Sequence, residues 1–268
     1  MTKQDKVTVK SFIQMKKEGE KIAVLTAYDF FTAKILDEIG MDSILVGDSA
    51  NMVFYGAKTT LSITMEQMIY HTKAVSSATK RALVIGDMPF LSYQTSVSEA
   101  VHNAGLFLKE GGAEAVKIEG GLEMIDTIKK IIDAGIPVMG HIGLVPQSIH
   151  RFGGYHTQGK DQKTRKYLLE SAKSLEQTGC FSMVLEAIPI ELAKEITQSI
   201  SIPTIGIGAG VSCDGQVLVI NDLLGLFDEF KPKFVRRYAH LSDEIRKACG
   251  EYLKDVKAGG FPSTEESY

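Results

Sequence analysis

Cysteine is scarce in this 268-residue chain: Cys180, Cys213 and Cys249 lie far apart, with no C-x-x-C pair among them. That usage excludes a disulfide-stapled scaffold and a cysteine-held zinc ribbon, and it suits reduced thiols in a cytoplasmic protein. No apolar run reaches the roughly 18 uninterrupted residues that a membrane span needs. The opening residues, Met1-Thr-Lys-Gln-Asp-Lys, lack the charged-then-apolar layout of a secretory signal. Nor does one sign of charge dominate. Lys and Arg number 30 against 33 Asp and Glu, a net charge of −3. This leaves no electrostatic footprint for nucleic acid or for an anionic membrane. Six histidines show no H-E-x-x-H spacing, so a zinc protease is excluded. P-loop, G-x-S-x-G and kinase signatures are missing. The dinucleotide fingerprint fails by one residue, because Val211 stands where Gly206-Ile-Gly-Ala-Gly210 would need its final glycine.

What the chain does have is rhythm. Short apolar runs rich in Val and Ile alternate with longer amphipathic stretches, without a Ser/Pro-rich linker or low-complexity segment between them. The strands are expected at Ile22–Ala27, Ser43–Gly47, Ala82–Gly86, Ala115–Glu119, Pro137–His141, Phe181–Glu186, Pro203–Ile207 and Gln216–Ile220. Helices are expected at Phe30–Ile39, Met65–Thr79, Val97–Lys109, Leu122–Ala134, Lys163–Thr178 and Pro189–Gln198. Alternating β and α with apolar strands implies a parallel sheet covered on both faces and joined by right-handed crossovers. Eight strands over this length give about 33 residues each, close to one βαβ unit. The expectation is a single (β/α)8 TIM barrel domain over residues 1–268. An N-terminal helix at about 9–17 would cover the barrel floor, and a C-terminal helix at about 240–257 would follow. A doubly wound open sheet is the alternative, since periodicity does not show closure.

Four acids stand where strands stop: Asp48, Asp87, Glu119 and Glu186. They fall about one, one and two βα units apart. In a barrel all strands present their carboxyl ends on one face, where active sites sit. Four carboxylates meeting there would repel, and a cation would relieve the repulsion. Oxygen ligands without cysteine or clustered histidine favour a hard ion such as Mg²⁺. Taken singly, each acid has a plainer reading; an Asp at a strand end commonly caps the next helix. Lys117 precedes Glu119 by two residues, so both face the lumen while Val116 and Ile118 face the helices. It either fills the lumen as an ion pair with Glu119 or awaits an anionic substrate. Glu186 is either a paired structural charge or a general base, and His141 is the one histidine at a strand end.

Two glycine-bearing segments stay open. The stretch 143–162, with Arg151, Phe152, Tyr155, His156 and Lys160, is long for a structureless connection. It reads equally as a ligand-binding loop and as a lid or subunit contact. The loop 206–210 reads equally as a phosphate cradle and as close backbone packing.

An ordered set of motifs carries a resemblance. It comprises Thr26-Ala-Tyr-Asp29, Val46-Gly-Asp-Ser49, Gly86-Asp-Met-Pro-Phe90, Val116-Lys-Ile-Glu-Gly-Gly121 and Gly140-His-Ile-Gly-Leu-Val-Pro-Gln-Ser148. Gly153-Gly-Tyr155, Leu185-Glu186, Ile205-Gly-Ile-Gly-Ala-Gly210 and Asp214-Gly-Gln216 follow. From about Val9 to Pro262 the chain resembles the 3-methyl-2-oxobutanoate (ketopantoate) hydroxymethyltransferases. The resemblance implies a barrel of the phosphoenolpyruvate/pyruvate type with one Mg²⁺ held by Asp48, Asp87 and Glu119. It implies that Asp48, Ser49, Asp87 and Lys117 hold the keto acid, and that Glu186 accepts the proton. The implied reaction moves a hydroxymethyl group from 5,10-methylenetetrahydrofolate to 3-methyl-2-oxobutanoate, giving 2-dehydropantoate for pantothenate biosynthesis. A homo-oligomer, a decamer in this family, is implied as well. Val145 stands where some members carry Thr, and Ala50 where some carry Leu. Two rival readings of the residues are another Mg²⁺-dependent enolate enzyme, a carbon–carbon lyase or mutase, and a non-catalytic keto-acid-binding barrel.

Overall fold

A computed structural model of the protein describes residues 5–227 and 231–268, so residues 1–4 and 228–230 of the expected 1–268 domain lie outside the described residues. Each apolar run becomes a strand: β1 (Ile22–Thr26), β2 (Ser43–Val46), β3 (Leu83–Asp87), β4 (Ala115–Glu119), β5 (Val138–Gly143), β6 (Ser182–Glu186), β7 (Thr204–Ile207) and β8 (Gly215–Leu218). They pair in parallel in sequence order, and β8 returns to β1, closing the barrel. Closure rules out the open-sheet alternative.

The helices are α1 (Val9–Glu18), α2 (Phe30–Glu38), α3 (Ala50–Val53), α4 (Met65–Ala78), α5 (Val97–Lys109), α6 (Ile125–Asp133), α7 (Ile149–Phe152), α8 (Gln162–Thr178), α9 (Ile190–Ser199), α10 (Ile220–Leu224) and α11 (Leu241–Ala258). Of these, α3, α7 and α10 have no counterpart in the sequence reading, because four or five residues are too few to show a helical period. The run Gln216–Ile220 reads as one strand, but β8 ends at Leu218 and Ile220 already belongs to α10. The stretch Leu122–Ala134 opens as a 3₁₀ turn, Leu122–Met124, before α6.

The chain divides into two compact units, one reaching to Val219 and one spanning Ile220–Tyr268. The first holds the whole barrel. Its lumen is filled by alternate strand residues, among them Ile22, Val24, Leu45, Leu83, Ile85, Ala115, Met139, Val184, Ile205 and Val217. Helix α1 starts at a capping box between Thr8 and Ser11. It buries Phe12 and Met15 in that cluster, with Phe12 edge-to-face on Phe181, ring centroids 5.7 Å apart. Phe181 immediately precedes β6, so these two rings sit at the amino end of the strands and leave the carboxyl end for chemistry. In the second unit, α11 ends at left-handed Gly259, after which Phe261 folds back onto Tyr252.

Candidate active site

Strand register gathers the ionisable groups. Asp87 pairs with Lys117 across β3 and β4, and Glu119 pairs with His141 across β4 and β5. Side chains paired this way share a face, so all four enter the lumen. There, Lys117 Nζ lies 2.8 Å from Asp87 Oδ1 and 3.7 Å from Glu119 Oε1. Asp48, just beyond β2, joins through its backbone N–H, which donates to Asp87 Oδ2 at 3.0 Å. Asp48 does not cap α3; Ser49 is the N-cap residue there, without a side-chain cap bond. Asp48, Asp87, Lys117, Glu119 and His141 are all buried. Ser49 is half-buried, its hydroxyl 2.8 Å from that of Tyr28.

Glu186 stands one step further out. Its register partner is Gly143, whereas His141 pairs with Val184. It reaches the cluster through His141, whose Nε2 lies 3.2 Å from Glu186 Oε2. Gly143 permits this approach: its φ is +103°, and a Cβ there would lie 2.2 Å from the Glu186 carbonyl oxygen. Ala187, next to Glu186, has a left-handed φ of 46°, a conformation that costs an L-residue about 1–2 kcal/mol.

The charges are unbalanced: one ammonium faces three buried carboxylates. Burial raises the proton affinity of Asp48 well above the ordinary carboxylate range, and Asp87 and Glu119 push the same way. Asp87 is raised by burial too, with Lys117 opposing. Burial would also raise Glu119, but Lys117 and His141 outweigh it and hold it low. Burial would strip Lys117 of its proton, yet Asp87, Glu119 and Asp48 prevail and hold it charged. For His141, burial and Lys117 lower the proton affinity; contacts with Glu119 and Glu186 win and raise it.

A hard cation fits this donor set: the carboxylates of Asp48, Asp87 and Glu119 outnumber the one Lys117 ammonium, and no cysteine stands among them. Among the described residues, no three His, Cys, Asp or Glu side chains form a ready-made cage. An ion here would therefore complete its shell with water or substrate, as Mg²⁺ usually does.

Sequence reading missed Gln147 and Tyr93. Both are buried, and Gln147 bonds to Asp48 and Glu119. Nothing in their residue types signals this. Gln147 lies in the segment 143–162, whose first part, with Leu144 and Val145, is buried at the site. Further on, Tyr155 is half-exposed, its hydroxyl 4.0 Å from Met52 Sδ. Burial raises the phenol's pKa, and the negative charges of Glu186, Asp48 and Glu119 push the same way. In the loop 206–210, Gly206 abuts Cys213 and Gln216, and Gly210 abuts Ile190, each within 3.0 Å of a Cβ position. Close packing accounts for both glycines.

A closed parallel barrel with charged groups at its strand carboxyl ends is a (β/α)8 enzyme architecture, and solved structures agree on the fold. A 2,3-dimethylmalate lyase, a PEP mutase/isocitrate lyase superfamily member, superposes with a TM-score of 0.60 at 16% identity, covering 97% of this chain and 90% of that one. Phosphonopyruvate hydrolase in complex with oxalate and Mg²⁺ gives 0.63 at 11% identity, covering 96% and 92%. The chain belongs to the ketopantoate hydroxymethyltransferase family, whose sequence model matches residues 6–264. It is similar to the 3-methyl-2-oxobutanoate hydroxymethyltransferase of Prosthecochloris aestuarii, 58% identical over 98% of this chain and 96% of that protein. The Clostridium botulinum enzyme of the same name is 55% identical, over 97% and 95%. The protein is thus an enzyme, a hydroxymethyltransferase.

Proposed function

We propose that the enzyme transfers a hydroxymethyl group from 5,10-methylenetetrahydrofolate to 3-methyl-2-oxobutanoate, yielding 2-dehydropantoate and tetrahydrofolate in pantothenate biosynthesis. Its relatives bear the name of this reaction. The observation that carries the mechanism is the division among the acids. Asp87 and Glu119 are buried against Lys117, with side-chain exposures of 3%, whereas Glu186 is 14% exposed and touches His141 instead. Three buried acids, Asp48, Asp87 and Glu119, suit holding Mg²⁺, which when bound supplies a Lewis acid beside the substrate's keto group. Asp48, Ser49, Asp87 and Lys117 hold the keto acid, with the Lys117 ammonium facing its negative charge. Glu186 accepts the proton from C3, leaving an enolate to form the new carbon–carbon bond with the one-carbon unit. Water supplies the hydroxyl of the product. His141 lies between the two groups, its Nδ1 3.2 Å from Lys117 Nζ and its Nε2 3.2 Å from Glu186 Oε2.

The free thiols support a cytoplasmic enzyme; no helix among the described residues is long and apolar enough to cross a membrane. A homo-oligomer, a decamer by family resemblance, is supported by an apolar stripe on α2 and its cap. Phe31, Ile35 and Ile39 there are 75%, 58% and 67% exposed.

The test is product formation. The enzyme with Mg²⁺ and both substrates should yield 2-dehydropantoate, and omission of the folate should abolish it. Full turnover after chelation of divalent ions would overturn the Mg²⁺ role. Absence of product beside intact cleavage of a C4 or C5 diacid would favour the lyase reading. Light scattering should give a mass several times that of one chain; a monomer overturns the oligomer.

A further inference from the structure

Gln147 is buried, yet every hydrogen-bonding atom of its side chain is engaged. The amide Nε2 donates to Asp48 Oδ2 at 2.9 Å and to the Met88 carbonyl at 2.9 Å. Those two bonds use both of its hydrogens. Oε1 accepts from the Tyr93 hydroxyl at 2.6 Å and from Gln94 Nε2 at 3.2 Å. The backbone N–H of the same residue donates to Glu119 Oε2 at 2.9 Å. Gln147 sits in the 3₁₀ turn Pro146–Ser148 that follows β5, and its partners follow or end β2, β3 and β4. One residue therefore ties together the ends of three neighbouring strands.

The partners fix which way the amide points. The acceptors Asp48 Oδ2 and Met88 O demand the NH₂ group on one side, and the hydroxyl of Tyr93 faces the oxygen on the other. Tyr93 is itself held, its hydroxyl accepting from the Glu119 backbone N–H at 3.3 Å. The consequence falls on two carboxylates. Asp48 and Glu119 each have one oxygen engaged by Gln147, and the other oxygen of Glu119 is turned to Lys117 and His141. An amide does this without neutralising either acid, whereas Lys or Arg in its place would cancel the charge that attracts a cation.

We propose that Gln147 is a positioning residue for the divalent cation, setting the orientation of Asp48 through its side chain and of Glu119 through its backbone N–H. This rests on the reading of Asp48, Asp87 and Glu119 as the Mg²⁺ site. Partners that orient metal ligands typically contribute 10–100-fold in metal affinity. Gln147→Met keeps most of the volume and removes both donors to Asp48 Oδ2 and Met88 O, while the backbone bond to Glu119 stays. Tyr93→Phe is the milder variant; it frees the amide oxygen from its shortest bond and leaves Gln94 in place.

The experiment is titration of the metal-free enzyme with Mn²⁺, free ion being counted by its electron paramagnetic resonance signal. Melting of the metal-free protein is followed alongside. Gln147→Met should bind Mn²⁺ about 10–100-fold more weakly while remaining folded, and Tyr93→Phe should weaken binding by a smaller factor. Asp48→Asn should weaken binding by itself, and adding Gln147→Met to it should cost less than about threefold more, because both changes act through one carboxylate. Wild-type affinity in folded Gln147→Met, with Asp48→Asn impaired, overturns the proposal and leaves the metal site standing. Full additivity of the two changes also overturns it, since Gln147 would then act through packing. If Gln147→Met does not fold, wild-type affinity in Tyr93→Phe decides against it. If neither Asp48→Asn nor Asp87→Asn alters Mn²⁺ binding, the metal-site reading itself falls, and the proposal with it.

Discussion

The imidazole of His141 stands between two carboxylates, with Nε2 3.2 Å from Glu186 and Nδ1 3.5 Å from Glu119. It is the link through which the outer acid meets the buried cluster. Glu186 thus stands apart from the Lys117 ammonium, beside His141 rather than among the buried acids.

Glu186→Gln should isolate proton abstraction. The variant keeps the shape of the side chain and should bind Mg²⁺ and 3-methyl-2-oxobutanoate as the wild type does. In heavy water without folate, exchange of the C3 proton should fall by about 10²–10⁴-fold. Exchange at the wild-type rate would reassign the base to another group.

Lys117→Met removes the one ammonium among three buried acids. Breaking a buried pair from one side costs about 3–5 kcal/mol. At about 2–4 °C per kcal/mol for a protein of this size, the metal-free variant should melt some 6–20 °C lower. Added Mg²⁺ should recover part of the loss, because the ion supplies the missing positive charge. On the proposed role of Lys117, the KM for the keto acid should rise more than kcat falls. An unchanged melting temperature would show that the carboxylates do not depend on Lys117.

Asp48 carries a pH signature. Its proton affinity is raised by burial and by Asp87 and Glu119, so folding disfavours its ionised form. That penalty is present at neutral pH and is relieved as the pH falls through the raised folded-state pKa. Asp48→Asn should therefore raise the melting temperature of the metal-free enzyme at pH 7, by a few degrees, and the gain should shrink as the pH drops toward 4. Metal affinity runs the other way. With Asp48 in its proposed role as a metal ligand, an ion must displace its proton, so Mg²⁺ binding should weaken on acidification at a pH above the ordinary Asp value. A melting difference that is constant with pH would contradict this.

Phe12→Ala tests the opposite end of the barrel. Truncating a fully buried aromatic ring costs about 3–5 kcal/mol, read as a lower denaturation midpoint. The ring packs on Phe181 at the amino end of β6, away from the carboxylates. At temperatures where the variant is folded, kcat should stay within about twofold of wild type, and a larger fall would show that the two ends are coupled.

Much of this architecture was legible because its signals are local. A strand covered on both faces must be apolar, so β1 to β7 announce themselves in the sequence to within one or two residues. Lys117 and Glu119 share a face through the strand's two-residue period, and β4 bears this out: both are buried within the lumen. Asp48 illustrates the limit. From sequence, an Asp at a strand end is as good a helix cap as a site residue, and only the register and the bond to Asp87 separate the two.

The sequence by itself determined the eight-fold alternation, the acids at strand ends and the absence of soft metal ligands, since each follows from residue type and spacing along the chain. Tertiary structure alone decided closure, the pairing of Lys117 with Asp87, the bridge through His141 and the strap of Gln147. Gln147 and Asp48 lie 99 positions apart. No local periodicity reaches that far; such a contact exists only once hydrophobic packing has rolled the sheet and brought every strand end to one rim.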